Sequence, residues 1–206
     1  MSRARLRASV SKAGDLLSPE TELVPFTWTC GESKRIILNL TIWRYTSSMV
    51  DYSFIIRKAV IDDAPAIQEI MQEAFTKYMK DSGLSGSLEA LEESCEDIAR
   101  DIASKDVFIA FMDNIAVGSV RVQLLPNNTA YLSRFGVKLG YHNIGIGKSL
   151  MNLVDKLLIE KGIKSVFLYT ASKYGDLVRF YYGRGFYIDS TTKDRGYTRA
   201  LMIKEY

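Results

Sequence analysis

The chain reads as a mixed α/β sheet with helices on both faces. Three observations predict this. From residue 52 onward, strand-like and helix-like patterns follow one another in the order β-α-α-β-β-β-α-β-α-β-β. Turn chemistry separates three consecutive strands in the middle of that run, and a glycine-rich turn links the last of them to a strongly amphipathic helix. With 206 residues, 47% of them hydrophobic, the chain is long enough for one domain with a real core.

The elements follow from local chemistry. A strand around Phe54 and Ile56 runs into Asp62-Asp63 and Pro65, an N-cap with proline in the first helical turn. Ile67, Ile70, Met71, Ala74, Phe75 and Tyr78 then share one face of a helix, and KDSGLSG (residues 80–86) breaks it. Leu88, Leu91, Cys95, Ile98 and Ile102 predict one further amphipathic helix that ends near Lys105. VFIAFM (107–112), the Asp113-Asn114 turn and IAVGSVRVQLL (115–125) predict a hairpin. After Pro126-Asn127-Asn128 comes the strand 130–138. A helix with Leu150, Leu153, Val154, Leu157 and Leu158 on its apolar face follows and stops at Gly162. The strand SVFLYT (165–170), a short helix (176–182), a strand from Phe186 and a last strand (197–203) complete the body.

Residues 1–48 differ from this body. They hold both tryptophans and no sustained periodicity, apart from a candidate strand at Ile36 to Trp43. We read them as an N-terminal appendage, either poorly ordered or not part of the native protein, with Met49 as an alternative start. The domain proper is expected over 52–206. The run MSRARLRASVSK faintly resembles a transit peptide, although a bare basic tail produces the same pattern more often.

Charge and cysteine usage exclude several classes. Of 27 basic and 24 acidic residues, seven and four lie in 1–48, so the rest of the chain is balanced and offers no case for nucleic acid. No apolar run is long enough to span a bilayer, so no membrane partner is expected. Cys30 and Cys95 stand far apart, which fits neither a disulfide framework nor a metal site and is consistent with a cytoplasmic setting.

The chemistry concentrates in VKLGYHNIGIGKSL (137–150). Glycines between a strand and a helix N-terminus leave peptide N–H groups facing outward, where they and the positive helix end can hold phosphate. Read as a P-loop, HNIGIGKS closes correctly with Gly147-Lys148-Ser149. However, His142 replaces the opening glycine, and the next strand lacks the acid needed for Mg²⁺. Read as [Q/R]xxGx[G/A], His142, Gly145 and Gly147 resemble the pyrophosphate loop of the GNAT N-acetyltransferase superfamily. IRKAVIDDAPAIQEIMQEAF (56–75) and RFYYGRGF (179–186) resemble the opening strand-helix and the "fYxxxGF" segment of that family in the right order.

The resemblance covers about residues 54–204 and implies an acyl-CoA N-acyltransferase fold, with a mixed, mostly antiparallel sheet and helices on both faces. It also implies an acetyl-CoA-dependent N-acetyltransferase acting by direct transfer in a ternary complex, with no metal. Its acceptor would be a small-molecule or peptide amine, and its assembly a homodimer. Cofactor contacts are expected at His142, Asn143, Ile144, Gly145, Ile146, Gly147 and Lys148 for the pyrophosphate, and at Phe135, Gly136 and Val137 for the pantetheine arm. Histidine at 142 implies a weaker or pH-dependent charge contact than the usual Gln or Arg.

Tyr181, at the family's tyrosine, is the expected catalytic residue, placed to protonate or hydrogen-bond the CoA thiolate. No base stands out. Glu89, Glu92 and Glu93 reach the acceptor only if their helix caps the site, and a solvated face is the simpler reading for all three. A non-catalytic CoA-binding or sensor domain on the same fold, and a P-loop nucleotide enzyme, remain as alternatives.

Overall fold

The computed structural model describes residues 21–30, 34–43, 53–193 and 195–206, giving the first two stretches as backbone. The chain divides into two compact units, Met1–Tyr52 and Ser53–Tyr206. In the first, β1 (Thr21–Cys30) pairs antiparallel with β2 (Lys34–Trp43), from Thr21↔Trp43 to Cys30↔Lys34. The expected strand at Ile36 to Trp43 falls within β2. Its partner was hidden in the sequence by Pro25, which breaks the strand signal but is tolerated where a strand has a free edge. The basic leader and the alternative start at Met49 lie outside the described residues.

The second unit is built on one seven-stranded sheet. Its elements are β3 (Phe54–Lys58), α1 (Ala64–Ser82), α2 (Glu89–Glu92), α3 (Cys95–Ser104), β4 (Asp106–Met112), β5 (Ile115–Leu125) and β6 (Thr129–Val137), followed by α4 (Ile146–Glu160), β7 (Ser165–Ala171), α5 (Gly175–Tyr182), β8 (Tyr187–Thr192) and β9 (Arg199–Glu205). The strand order is β3-β4-β5-β6-β7-β9-β8, with every pair antiparallel except β6 and β7. This is the mixed, mostly antiparallel sheet that was expected.

Alternation along the strands fills two cores. Phe108, Ala110, Val120 and Val122 join Leu150, Met151, Val154 and Leu158 of α4 on one face, while Val107 and Ile109 join Ile67, Ile70 and Met71 of α1 and Ile98 of α3 on the other. α1 starts after Asp63, whose carboxylate accepts the Val60 N–H at 2.7 Å and the Arg57 guanidinium at 2.6 Å. It ends at Gly83, which adopts the left-handed conformation of a helix cap.

Two sequence readings need correction. The single helix expected over residues 88–105 is broken into α2 and α3. Ser94 and Asp97 form a capping box, with the Asp97 N–H donating to Ser94 Oγ at 3.2 Å and the Ser94 N–H donating to Asp97 Oδ2 at 3.1 Å. The apolar stripe continues across that break, so periodicity alone passed over it. The last strand begins at Arg199 rather than Tyr197. Among the described residues, no helix is long and apolar enough to cross a membrane.

Candidate active site

The site begins where the sheet parts. β6 and β7 pair only through Thr129↔Ser165, Ala130↔Val166 and Tyr131↔Phe167. Beyond these pairs the two strands have no register with each other, so the facing edge of β6 from Leu132 to Val137 is left without a strand partner. A cavity of about 690 Å³ opens there, and Leu132, Phe135 and Val137 of β6, Leu168 and Thr170 of β7 and Tyr181 of α5 are among its walls.

A β-bulge shapes the β6 side of this wedge. Ser119 pairs with Gly136 and Arg121 with Ser133, so Val120 alone stands opposite both Arg134 and Phe135. Arg134 takes a left-handed φ of 49°, an uncommon conformation for a residue with a side chain. The extra residue reverses the alternation. Ala130 and Leu132 belong to the α4 core before the bulge, whereas Phe135 and Val137 pack on that core after it. Gly136 consequently faces α1, where an added Cβ would lie 2.8 Å from Met71 Cε and 3.0 Å from Ala74 Cβ.

The glycine turn closes one mouth of the cavity. Gly145, at φ 96°, is the N-cap of α4 and turns the chain so that the first peptide N–H groups of this 15-residue helix face the wedge. Gly147 serves packing. A Cβ there would meet Phe135 Cζ at 3.0 Å, so the missing side chain lets α4 lie against β6. His142, Asn143, Gly145, Gly147 and Lys148 all line the cavity, as do Phe135, Gly136 and Val137; Ile144 is exposed and Ile146 is buried in the α4 core. His142 Nε2 lies 2.8 Å from the Val137 carbonyl, so its N–H donates to the end of β6 and ties the turn to the strand. Lys148, Arg179 and Arg184 add positive charge to the lining on this side.

The face toward α1 and α2 is organised by charge. Arg121 is 1% exposed. Its guanidinium meets Glu93 Oε2 at 2.8 Å and Asp101 Oδ2 at 2.7 Å, while Arg134 holds the other Glu93 oxygen at 2.7 Å. Glu93 is therefore clamped between two arginines rather than solvated. Glu89 lines the cavity and meets Arg195 at 2.6 Å, and that hydrogen bond holds its carboxyl below the usual range. Glu89, so held, makes a poor proton acceptor, and the clamp on Glu93 corrects the solvated-face reading of that residue. Glu92 does not line the cavity.

Phenols provide the remaining polar groups. Tyr181 is 4% exposed, with its ring against Phe135, Phe180 and Phe186, and burial pushes its phenol well above the ordinary value. Tyr78 Oη accepts the Ala171 N–H at 2.6 Å, and burial pushes its phenol up to about 12. Burial also raises the Tyr131 phenol, on a ring that stacks on Phe167 at 5.2 Å. These phenols remain protonated at neutral pH and can only donate hydrogen bonds or accept them through oxygen.

Sequence reasoning missed Tyr78, Arg134, Arg195 and Arg199 as lining residues. Tyr78 was read as the end of an apolar face, and its hydroxyl gave no local signal. For Arg134, the only clue was an arginine in the middle of an otherwise apolar strand. Among the described residues, no group of three or more His, Cys, Asp or Glu gathers at one point.

Comparison with known proteins agrees with this geometry. The profile described as the acetyltransferase (GNAT) family matches residues 65–186. A spermidine N(1)-acetyltransferase of Thermoplasma acidophilum is 28% identical over 146 residues, covering 66% of this chain and 89% of the relative. The crystal structure of PaiA N-acetyltransferase from Thermoplasma acidophilum, in complex with coenzyme A, superposes with a TM-score of 0.66 at 26% identity, covering 75% of this chain and 99% of that one. The ribosomal-protein-S18-alanine N-acetyltransferase of Escherichia coli shares the fold, with a TM-score of 0.60 at 17% identity over 74% of this chain and 93% of that one.

Proposed function

The chain belongs to the GNAT acetyltransferase family, and from that premise we propose that it moves the acetyl group of acetyl-CoA to a primary amine by direct attack in a ternary complex. One observation carries the reading: the unpaired β6 edge runs straight toward the glycine-capped N-terminus of α4, so an extended chain ending in a diphosphate finds both of its partners in one groove. The similar PaiA enzyme, solved with coenzyme A, supports the same cofactor here.

In this reading the peptide groups of Phe135, Gly136 and Val137 pair with the pantetheine arm as a neighbouring strand would. The turn from His142 to Lys148 receives the pyrophosphate through backbone N–H groups and the helix end. Backbone donors at the bulge then stabilise the charge that develops on the thioester oxygen as the amine attacks. Acetyl-CoA supplies the activated acyl group, and no metal takes part.

Tyr181 faces the departing sulfur. A thiol has a reference pKa of about 8.5, below that of a raised phenol, so Tyr181 steadies the thiolate chiefly by donating a hydrogen bond rather than by giving up its proton. Cytoplasmic location, the appended unit at 1–48 and assembly as a homodimer belong to the same proposal.

Isothermal calorimetry with coenzyme A, combined with thiol release from acetyl-CoA in the presence of amines, tests the scheme. Micromolar binding with turnover is expected. Binding without thiol release from any amine would instead favour a sensor domain, and Mg²⁺-dependent ATP binding would favour a nucleotide enzyme. Tyr181→Phe is expected to lower kcat about 10- to 100-fold while largely sparing coenzyme A affinity. Unchanged turnover would remove the role.

A further inference from the structure

Two arginines from neighbouring strands converge on one carboxylate where β6 bulges. Arg121 of β5 stands opposite Ser133, the last β6 residue in register before the bulge, and Arg134 is the next residue along the chain. Glu93 Oε1 accepts from Arg134 Nε at 2.8 Å and from Arg121 at 3.1 Å, while Glu93 Oε2 accepts from Arg121 at 2.8 Å. Asp101 fixes Arg121 from α3 at 2.7 Å. Glu93 lies in the link between α2 and α3, so a single acid ties that link to both strands.

The ion pair selects a backbone conformation. By alternation alone, Arg134 would share the face of Ala130 and Leu132 and carry its charge into the apolar core under α4. The left-handed φ of 49° instead brings its guanidinium to Glu93 on the opposite face and returns Phe135 to the α4 core. Glycine is the usual residue at the left-handed position of a bulge, because a Cβ is disfavoured there. Here an arginine occupies it, and its anchored side chain offsets that disadvantage.

Resting on the acetyltransferase reading, we propose that Arg134, held by Glu93, is a positioning residue: it keeps β6 bulged, so that the peptide groups of Phe135, Gly136 and Val137 stand in register with the pantetheine arm and the bulge donors stand at the thioester oxygen. Without the anchor, the extra residue slips toward regular pairing, and every peptide group beyond it shifts along the wedge. A misplacement of that size costs both cofactor pairing and charge stabilisation. Arg134 acts through the backbone, with its guanidinium engaged by Glu93 and Glu89 a further 3.9 Å away.

The test compares Arg134→Ala with Arg134→Gly. Both delete the guanidinium, but only glycine adopts a φ near 49° freely. Arg134→Ala is expected to weaken coenzyme A binding in calorimetry about tenfold and to lower kcat at saturating acetyl-CoA about tenfold, and Arg134→Gly to recover about threefold or more of each loss. Glu93→Gln removes the charge of the anchor and should fall with the alanine variant; it serves if Arg134→Ala does not fold. Glu93→Gln combined with Arg134→Gly should be no worse than Arg134→Gly alone, since glycine no longer needs the anchor. Equal losses in the alanine and glycine variants, as deletion of a substrate contact would give, or no loss in either, overturn the proposal. Amide hydrogen exchange at Phe135, Gly136 and Val137 reads the backbone without any ligand. Exchange about tenfold faster than in the parent is expected for Arg134→Ala, with Arg134→Gly closer to the parent; an alanine variant that exchanges like the parent also overturns the proposal. A parent that neither binds coenzyme A nor releases thiol would sink the acetyltransferase reading, and the exchange comparison would still decide whether Arg134 holds the bulge.

Discussion

Arg121 offers the sharpest test of how the α2–α3 side of the cavity is held. It sits 1% exposed on β5, and its guanidinium joins Glu93, between α2 and α3, to Asp101 of α3. Arg121→Met keeps most of the aliphatic volume and removes the charge. Breaking a buried pair by deleting one partner costs about 3–5 kcal/mol. Here Glu93 retains Arg134 at 2.7 Å and Asp101 retains Lys105 at 2.7 Å, so the low end, about 3 kcal/mol, applies. For a domain of this size that corresponds to a Tm lowered by about 6–12 °C.

Scanning calorimetry reads that shift directly, and a second variant checks its cause. Neutralising both acids as well, with Arg121→Met, Glu93→Gln and Asp101→Asn together, leaves no stranded carboxylate, while Arg134 keeps Glu89 at 3.9 Å and Lys105 is partly exposed, and should recover at least half of the loss. A Tm for Arg121→Met within about 2 °C of the parent, or a triple variant that loses more than the single one, would refute the reasoning.

Three further outcomes follow from other parts of the fold. Gly136→Ala places a methyl 2.8 Å from Met71 Cε and 3.0 Å from Ala74 Cβ, and should cost about 1–3 kcal/mol in urea unfolding because α1 must move off β6. Gly145→Ala meets no atom within 4 Å but must hold φ near 96°, so it should lose about 1–2 kcal/mol of local backbone energy and weaken coenzyme A binding in calorimetry, with Gly145→Asn retaining more of it. The Arg57 hydrogen bond holds the Asp63 carboxyl below its usual range. A depressed carboxylate contributes stability that is complete above the unfolded value of about 3.9 and is lost as pH falls through the lower folded value. The Tm deficit of Asp63→Asn should therefore be full at pH 6 and shrink below about pH 3.9 in a calorimetric pH series.

How much of the site was legible depended on the range of the signal. Gly145 and Gly147 stand two residues apart before a clean apolar helix face, so the glycine turn and α4 could be read from a window of about a dozen residues. Asp113-Asn114, both at positive φ in the structure, marked the β4–β5 hairpin in the same way. The split between α2 and α3 was written locally as Ser94 and Asp97, yet an uninterrupted apolar stripe outweighed it. Glu93 was misjudged because its partners, Arg121 and Arg134, come 28 and 41 residues later.

By itself the sequence determined the order of the strands and the longer helices after residue 52, the two-sided core and the glycine turn that caps α4, because hydrophobic period and turn chemistry act between near neighbours. Only the tertiary structure decided that β6 and β7 part after three pairs, that the bulge at Arg134 reverses the faces of β6, and that Arg134, Arg195 and Arg199 line the same cavity as the glycine turn. Those features depend on which strand edges and charges meet across the folded sheet, and no short window of sequence contains both partners.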